Sequence, residues 1–346
     1  MPLAENLYVH FPFCRRKCAY CALHSRVGVS ASARRAYVES LVRAIAARPT
    51  EETYRTVYFG GGSPALCDLG PLLAALGLRR APGCEFTVEL HPLDVTDDLL
   101  ARLAADGVNR ISMGVQSLDD ATLADMGRGY SVAEAARAFA RVRTRFENAG
   151  IDLIVGYPGD SVRDISSLGS WGLRHCSVYS LILEEKSILS HRLAGKDPPR
   201  LPNDDETLDR LGEMAAALAK MGLRRYEISN HARAGFECRH NLAVWRGEDY
   251  LGLGDGAFGR LGLSRTENLG CPNERIETVD PARDALERTL FRLRTREGLD
   301  ASEHPEWLSR LDGYVRDGLL TNLSRSVYRL TARGTEVCDA ILADLI

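Results

Sequence analysis

The sequence predicts an α/β protein: a parallel sheet built from βα units over its first half, then a smaller α+β segment and a helical, winged-helix-like tail. Two patterns carry that prediction. Short apolar runs alternate with amphipathic stretches from residue 6 to about 183, and the alternation then stops at a stretch rich in Pro, Gly and charge. Parallel strands joined by helices need right-handed crossovers, which give either an open sheet or a partial TIM-like barrel.

Taken in order, strands are expected at "NLYVH", "TVYF", "EFTVEL", "RISMGV", "IDLIV" and "CSVYSLIL", each bounded by turn residues. Helices are expected between them over Ala31–Ala47, Leu69–Leu78, Thr96–Ala105, Asp120–Met126 with Val132–Phe146, and Val162–Leu173. Ser30, Asp68, Thr96 and Ser131 supply oxygens for the first orphan amides, and Gly107 and Gly150 are placed to stop helices. Next, "EEKSILSHRLAGKDPPRLPNDDE" reads as an exposed connection, and a helix over Glu206–Lys220 follows it with Gly222 as its stop. Helices over Ala282–Thr295 and Pro305–Asp317, with "SVYRLTARGTEVCDAILADL", make the tail. The divisions expected are 1–190 for the barrel, 191–279 for a linker and second region, and 280–346 for the C-terminal unit.

Bulk properties exclude several classes. A chain of 346 residues with 45% hydrophobic and 26% charged residues folds around a substantial core. A net charge of −3 gives no global attraction to nucleic acid, and forty arginines against four lysines read as codon preference. No run approaches the ~18 apolar residues a membrane span needs. Nine cysteines behind an N-terminus with no basic or apolar leader pattern point to a reducing compartment, the cytoplasm. Six of them, Cys67, Cys84, Cys176, Cys238, Cys271 and Cys338, stand singly and read as small core fillers.

The other three are clustered. "HFPFCRRKCAYCALHS" places Cys14, Cys18 and Cys21 on the loop after the first strand, on the rim where parallel α/β folds collect their active sites. An odd number in a reducing compartment argues against a disulfide. Zinc would take His24 as a fourth ligand and close the site. An iron–sulfur cluster would take the three thiolates and leave one iron open, which is how a metal site does chemistry rather than structure. Spacing leaves both open.

More of the rim is polar. "TVYFGGGSP" puts Gly60–Gly62 after the second strand, where glycines let backbone approach a ligand. Glu89 ends the third strand, Gln116 follows the fourth and Asp152 sits in the fifth. Several polar residues converging on one rim make a pocket for a polar ligand.

With "YVHFPFCRRKCAYC", "VYFGGGSP", "VELHP" and "GVQSLDD", the chain resembles the radical S-adenosylmethionine enzymes. The branch is the one shared by oxygen-independent coproporphyrinogen III dehydrogenase and the HemW heme chaperones. The resemblance implies a partial (β/α)6 barrel and a [4Fe–4S] cluster on Cys14, Cys18 and Cys21. It implies that S-adenosylmethionine chelates the fourth iron, within a pocket of Tyr8, Tyr20, Gly61, Gly62, Ser63, Glu89, Gln116, Arg128 and Asp152. His24 then has no ligand duty. The implied chemistry is one-electron cleavage of the sulfonium to a radical that abstracts hydrogen.

Three features resemble HemW rather than the dehydrogenase. Only thirteen residues precede Cys14, Leu23 stands where the dehydrogenases carry a further cysteine, and "YEISNHARAGFECRHNLAVW" with "YLGLGDGAFGRLG" is similar to the HemW second half. Its "HNLAVW" matches a signature linked in that family to heme, which implies His240 as an axial ligand with Asn241 and Trp245 beside it. Departures fall in both halves: "YCAL" and "EEKSIL" stand where "YCDF" and a Glu-Pro-Gly-Thr turn are usual, Val244 replaces a tyrosine, and Asp255 and Phe258 stand where Ala and His are usual. The expected partners are heme or another tetrapyrrole, an apo-hemoprotein recipient and a one-electron donor. The alternatives are a tetrapyrrole enzyme and a non-redox protein stapled by zinc.

Overall fold

The computed structural model describes residues 3–160, 165–270 and 273–346. Six strands, β1 (Asn6–Phe11), β2 (Tyr54–Gly61), β3 (Arg80–Leu90), β4 (Arg110–Gln116), β5 (Asn148–Val155) and β6 (His175–Ser180), lie side by side in chain order, all parallel. Helices α1 (Ala31–Ala46), α2 (Gly70–Leu76), α3 (Asp97–Ala105), α4 (Asp120–Asp125) and α5 (Val132–Arg143) make the crossovers. Their starts follow the sequence signals. Ser30, Thr96 and Ser131 each accept from a first-turn amide, and Ser131 forms a reciprocal capping box with Glu134.

Some expectations need correction. Asp68 lies outside the α2 cap and accepts instead from Gly70 N. Gly107 does stop α3 with φ +84°, but Gly150 lies inside β5, packed against His175. The helix expected over Val162–Leu173 falls partly outside the described residues, and its remainder, Ile165–Trp171, is a 3-10 turn. Strands β3 and β5 start earlier than their apolar runs, because backbone pairing extends past the residues that bury side chains.

The second region does not form a sheet of its own. Its strands extend both edges of the barrel sheet to twelve. Strands β7 (Arg224–Arg225) and β8 (Asn230–Ala232) continue from β6, and β9 (Tyr250–Leu253) pairs parallel with β1, Asn6 opposite Tyr250. Antiparallel strands β10 (Phe258–Leu261), β11 (Ser264–Gly270) and β12 (Asn273–Thr278) follow outward. The tail holds a separate three-stranded sheet and its own core around Leu293, Trp307, Leu311, Tyr328 and Ile341.

What positions the site is the split between the two faces of the barrel sheet. Side chains alternate along a strand. The row facing the helices is apolar: Leu7, Val9, Val57, Phe59, Phe86, Val88, Ile111, Met113, Ile151 and Val178 are all in the main core. The opposite row, facing the lumen, is Tyr8, His10, Thr56, Tyr58, Glu85, Thr87, Glu89, Arg110, Ser112, Asp152, His175 and Ser177. Parallel strands covered on both faces are ordinarily apolar throughout. A polar inner row is costly unless something polar fills it.

Candidate functional site

The three-cysteine loop leaves the C-terminal end of β1 and is pinned along its length. Residues Phe13 and Cys14 pair with Arg26 and Val27, Ala19 N donates to Met126 O at 3.0 Å, and Ala19 O accepts from Leu189 N at 2.8 Å. Ala19, Met126, Tyr157 and Leu189 form a small apolar cluster under the loop, with Tyr20 against it. The Gly-rich end of β2 lies directly beside this loop. Gly62 N donates to Phe11 O at 2.7 Å, and a Cβ on Gly62 would stand 2.4 Å from Phe13 O and 2.8 Å from Cys14 Sγ. Only glycine fits there.

Burial pushes the Cys14 thiol up to about 11, with Cys21 and Cys18 adding to the shift, and burial also raises Cys21. The thiols are therefore close enough to oppose one another's ionisation. A closed metal site would need a fourth protein ligand beside the three thiols. His24 does not complete one: its side chain packs against Gly256, and its carbonyl accepts from His10 Nε2 at 3.1 Å. Three thiols without a fourth protein ligand fit a cluster that keeps one iron for an outside ligand. A positive charge at that point would return the thiols to thiolates.

Arg128 is buried behind the loop. Its Nη1 lies 3.3 Å from both Cys18 Sγ and Tyr20 Oη, Nη2 donates to Gly114 O at 2.7 Å, and Nε donates to Tyr130 Oη at 2.9 Å. Ser63 donates to Asp94, which also holds Arg15 at 2.5 Å. Gly61, at φ +106°, directs its N–H to Glu89 Oε2 at 3.1 Å while Tyr58 Oη donates to Oε1 at 2.7 Å. Burial, and then Asp152, raise the Glu89 carboxyl to about 7. Asp152 accepts from Ser112 Oγ at 3.0 and 3.1 Å, and burial raises its pKa as well. Gln116, at φ +73°, has the one positive φ among described non-glycine residues, and its strand slips register at that point. Backbone strain of this kind is held in place where function needs it. Tyr8 Oη meets His10 Nδ1 at 3.0 Å.

Two buried carboxyls, both held back from ionising, suit a ligand that brings positive charge and hydroxyls. Thr87 Oγ1, Arg110 Nε and His175 Nδ1 are also buried in the lumen without a hydrogen-bond partner, so the interior has donors to spare. S-adenosylmethionine offers a sulfonium, an ammonium, a carboxylate and a ribose diol, and the residues present fit it. Sequence reading missed Tyr58, Ser112, Arg110 and His10. Their signal was the period-two polarity of "TVYF", "RISMGV" and "YVHF", read only as strand evidence.

A family model for the Radical SAM superfamily matches residues 8–171. The heme chaperone HemW of Lactococcus lactis is 37% identical over 296 residues, covering 83% of this chain and 77% of its own. The chain belongs to the HemW family. HemW of Mycobacterium tuberculosis is 32% identical over 99% of this chain and 94% of its own. The solved structure of Escherichia coli HemN, described as a coproporphyrinogen III oxidase and radical SAM enzyme, covers the whole chain with a TM-score of 0.83 at 21% identity, a likeness of fold.

The features that set this chain apart from the HemW pattern have defined places. Asp255 is buried, its carboxylate accepts from Arg26 Nη2 at 2.6 Å, and its backbone N donates to Tyr37 Oη at 2.9 Å. It ties the second region to the far end of the cysteine loop. Phe258 is 59% exposed on β10. His240 and Trp245 lie on helix α6 (Arg239–Trp245), but His240 points into the barrel and is 4% exposed. Burial, with Arg110, lowers its pKa to about 3. Its ring lies against Thr56, Tyr58 and Tyr8.

Proposed function

We propose that this chain is a heme chaperone of the HemW kind, acting in the cytoplasm and passing heme to an apo-hemoprotein. The observation that carries this reading is similarity to HemW chaperones along nearly the full chain, second half included. The [4Fe–4S] cluster would sit on Cys14, Cys18 and Cys21, with S-adenosylmethionine against Tyr8, Tyr20, Gly61, Gly62, Ser63, Glu89, Gln116, Arg128 and Asp152. When bound, the pair supplies one-electron chemistry fed by an external donor. The chain's own residues orient and enclose. Glu89 and Asp152 offer carboxylates to a cationic ligand, Arg128 braces the Cys18 side of the loop, and the Gly-rich strand end lets the ligand approach backbone.

The test is anaerobic. Cluster-reconstituted chain is titrated with heme and, separately, incubated with S-adenosylmethionine, a strong reductant and coproporphyrinogen III. Stoichiometric heme uptake with intact coproporphyrinogen supports the chaperone. Vinyl-bearing product with matching 5′-deoxyadenosine would make the chain a tetrapyrrole enzyme instead.

A further inference from the structure

His240 enters the barrel from α6, in the second region, and its backbone N and its ring meet residues of the first. Its backbone N donates to Glu85 Oε1 at 3.1 Å, and Nδ1 meets Thr56 Oγ1 at 2.8 Å. The proton on that second bond can be placed. Asn6 Nδ2 donates to Asp249 O at 3.0 Å, which leaves Asn6 Oδ1 as an acceptor, and Thr56 Oγ1 donates to it at 2.8 Å. Thr56 therefore accepts from His240, whose Nδ1 carries the hydrogen.

The ring of His240 lies 5.2 Å from that of Tyr58 and 6.3 Å from that of Tyr8, and those two are 6.0 Å apart. Two arms rise from this trio. Tyr58 Oη holds Glu89, which in turn holds Gly61 N; Tyr8 Oη holds His10, whose Nε2 grips the carbonyl of His24 at the end of the cysteine loop. A change at His240 therefore reaches both walls of the proposed pocket without touching a ligand.

We propose that His240 is a positioning residue of the S-adenosylmethionine pocket, supporting the Tyr58 and Tyr8 rings, and not an iron ligand. The inference rests on the site reading above. It assigns α6 the task of joining the second region to the radical half of the molecule.

The experiment pairs two readouts on anaerobically reconstituted full-length chain: S-adenosylmethionine affinity and heme stoichiometry, with iron content and thermal melting as controls for folding. His240→Asn keeps an N–H for Thr56 and removes the ring. It is expected to weaken S-adenosylmethionine binding about tenfold and to leave heme stoichiometry unchanged. His240→Phe keeps a ring and removes both nitrogens, and is expected to retain heme uptake and most of the S-adenosylmethionine affinity. Loss of heme uptake in a folded Phe variant, or unchanged S-adenosylmethionine affinity in the Asn variant, overturns the proposal. Should the larger Phe ring prevent folding, Tyr58→Phe carries the test, since it keeps the ring stack and removes only the bond to Glu89. Weakened S-adenosylmethionine binding with unchanged heme uptake supports the proposal, and unchanged affinity overturns it. A wild-type chain that takes up iron but binds no S-adenosylmethionine overturns the site reading itself, and is seen before any variant is made.

Discussion

Arg128 Nη1 lies 3.3 Å from Cys18 Sγ, and the same guanidinium is held on its other edges by Gly114 O and Tyr130 Oη. Hydrogen bonds and positive charge at a cluster sulfur stabilise the reduced state. Arg128→Gln is therefore expected to lower the cluster's midpoint potential by an amount on the order of tens of millivolts. Potentiometric titration followed by electron paramagnetic resonance measures it. An unchanged potential would mean that the guanidinium turns away from the sulfur when the cluster is bound.

Gly62 faces Phe13 O and Cys14 Sγ too closely for any Cβ. Gly62→Ala should displace the cysteine loop and lose most of the iron taken up on reconstitution, read by iron analysis. Gly169 has nothing within 4 Å of its ideal Cβ position, so Gly169→Ala serves as the control and should reconstitute normally.

Glu89 gives a pH signature. Its carboxyl, raised to about 7 by burial and Asp152, is countered by Tyr58, Gly61 N and Arg110 and also faces Tyr8 and Tyr179. A carboxyl whose folded pKa exceeds its unfolded value holds its proton longer when folded, so stability falls as pH rises between the two. The window runs from the ordinary 4.5 to about 7, and the loss is complete above it. Glu89→Gln should then be more stable than wild type at pH 8 by about 2–3 kcal/mol and equal to it below the window. Urea melts at both ends measure the difference. The same variant should lose S-adenosylmethionine affinity.

The Arg26–Asp255 pair, 2.6 Å long, joins a half-exposed guanidinium to a buried carboxylate. Removing the exposed partner leaves the buried charge alone, so Arg26→Ala should cost more than Asp255→Ala. The expected costs are about 2 and about 1 kcal/mol. A double-mutant cycle by chemical denaturation isolates the coupling. Equal costs would show that water replaces Arg26 freely.

The sequence carried the barrel well because each of its strands shows at least one apolar row, and that row is what pattern reading detects. Cys14, Cys18 and Cys21, and the glycines beside them, were legible because their chemistry is local to one loop. His240 was not. Its motif is read only for a link to heme, and its place in the fold depends on Thr56, Glu85 and Tyr58, residues far earlier in the chain whose meeting with α6 no local pattern records. The strand pairing of the second region was hidden for a similar reason. Strands Tyr250–Leu253 and Asn230–Ala232 look like parts of a separate unit until their pairing with β1 and β6 is seen.

That pairing also bears on how the molecule is made. Strand Asn6–Phe11, synthesised ahead of the rest of its sheet, acquires its outer neighbour only when Tyr250–Leu253 emerges. At synthesis rates of roughly 5–20 residues per second, its free edge waits for about 10–50 s. During that interval the strand just before the cysteine loop is half-clad, and the nascent chain presents an unpaired ladder beside three thiols. Folding of the radical half thus closes from its far end, and a ribosome stalled before residue 250 would hold a barrel that cannot finish its own first edge.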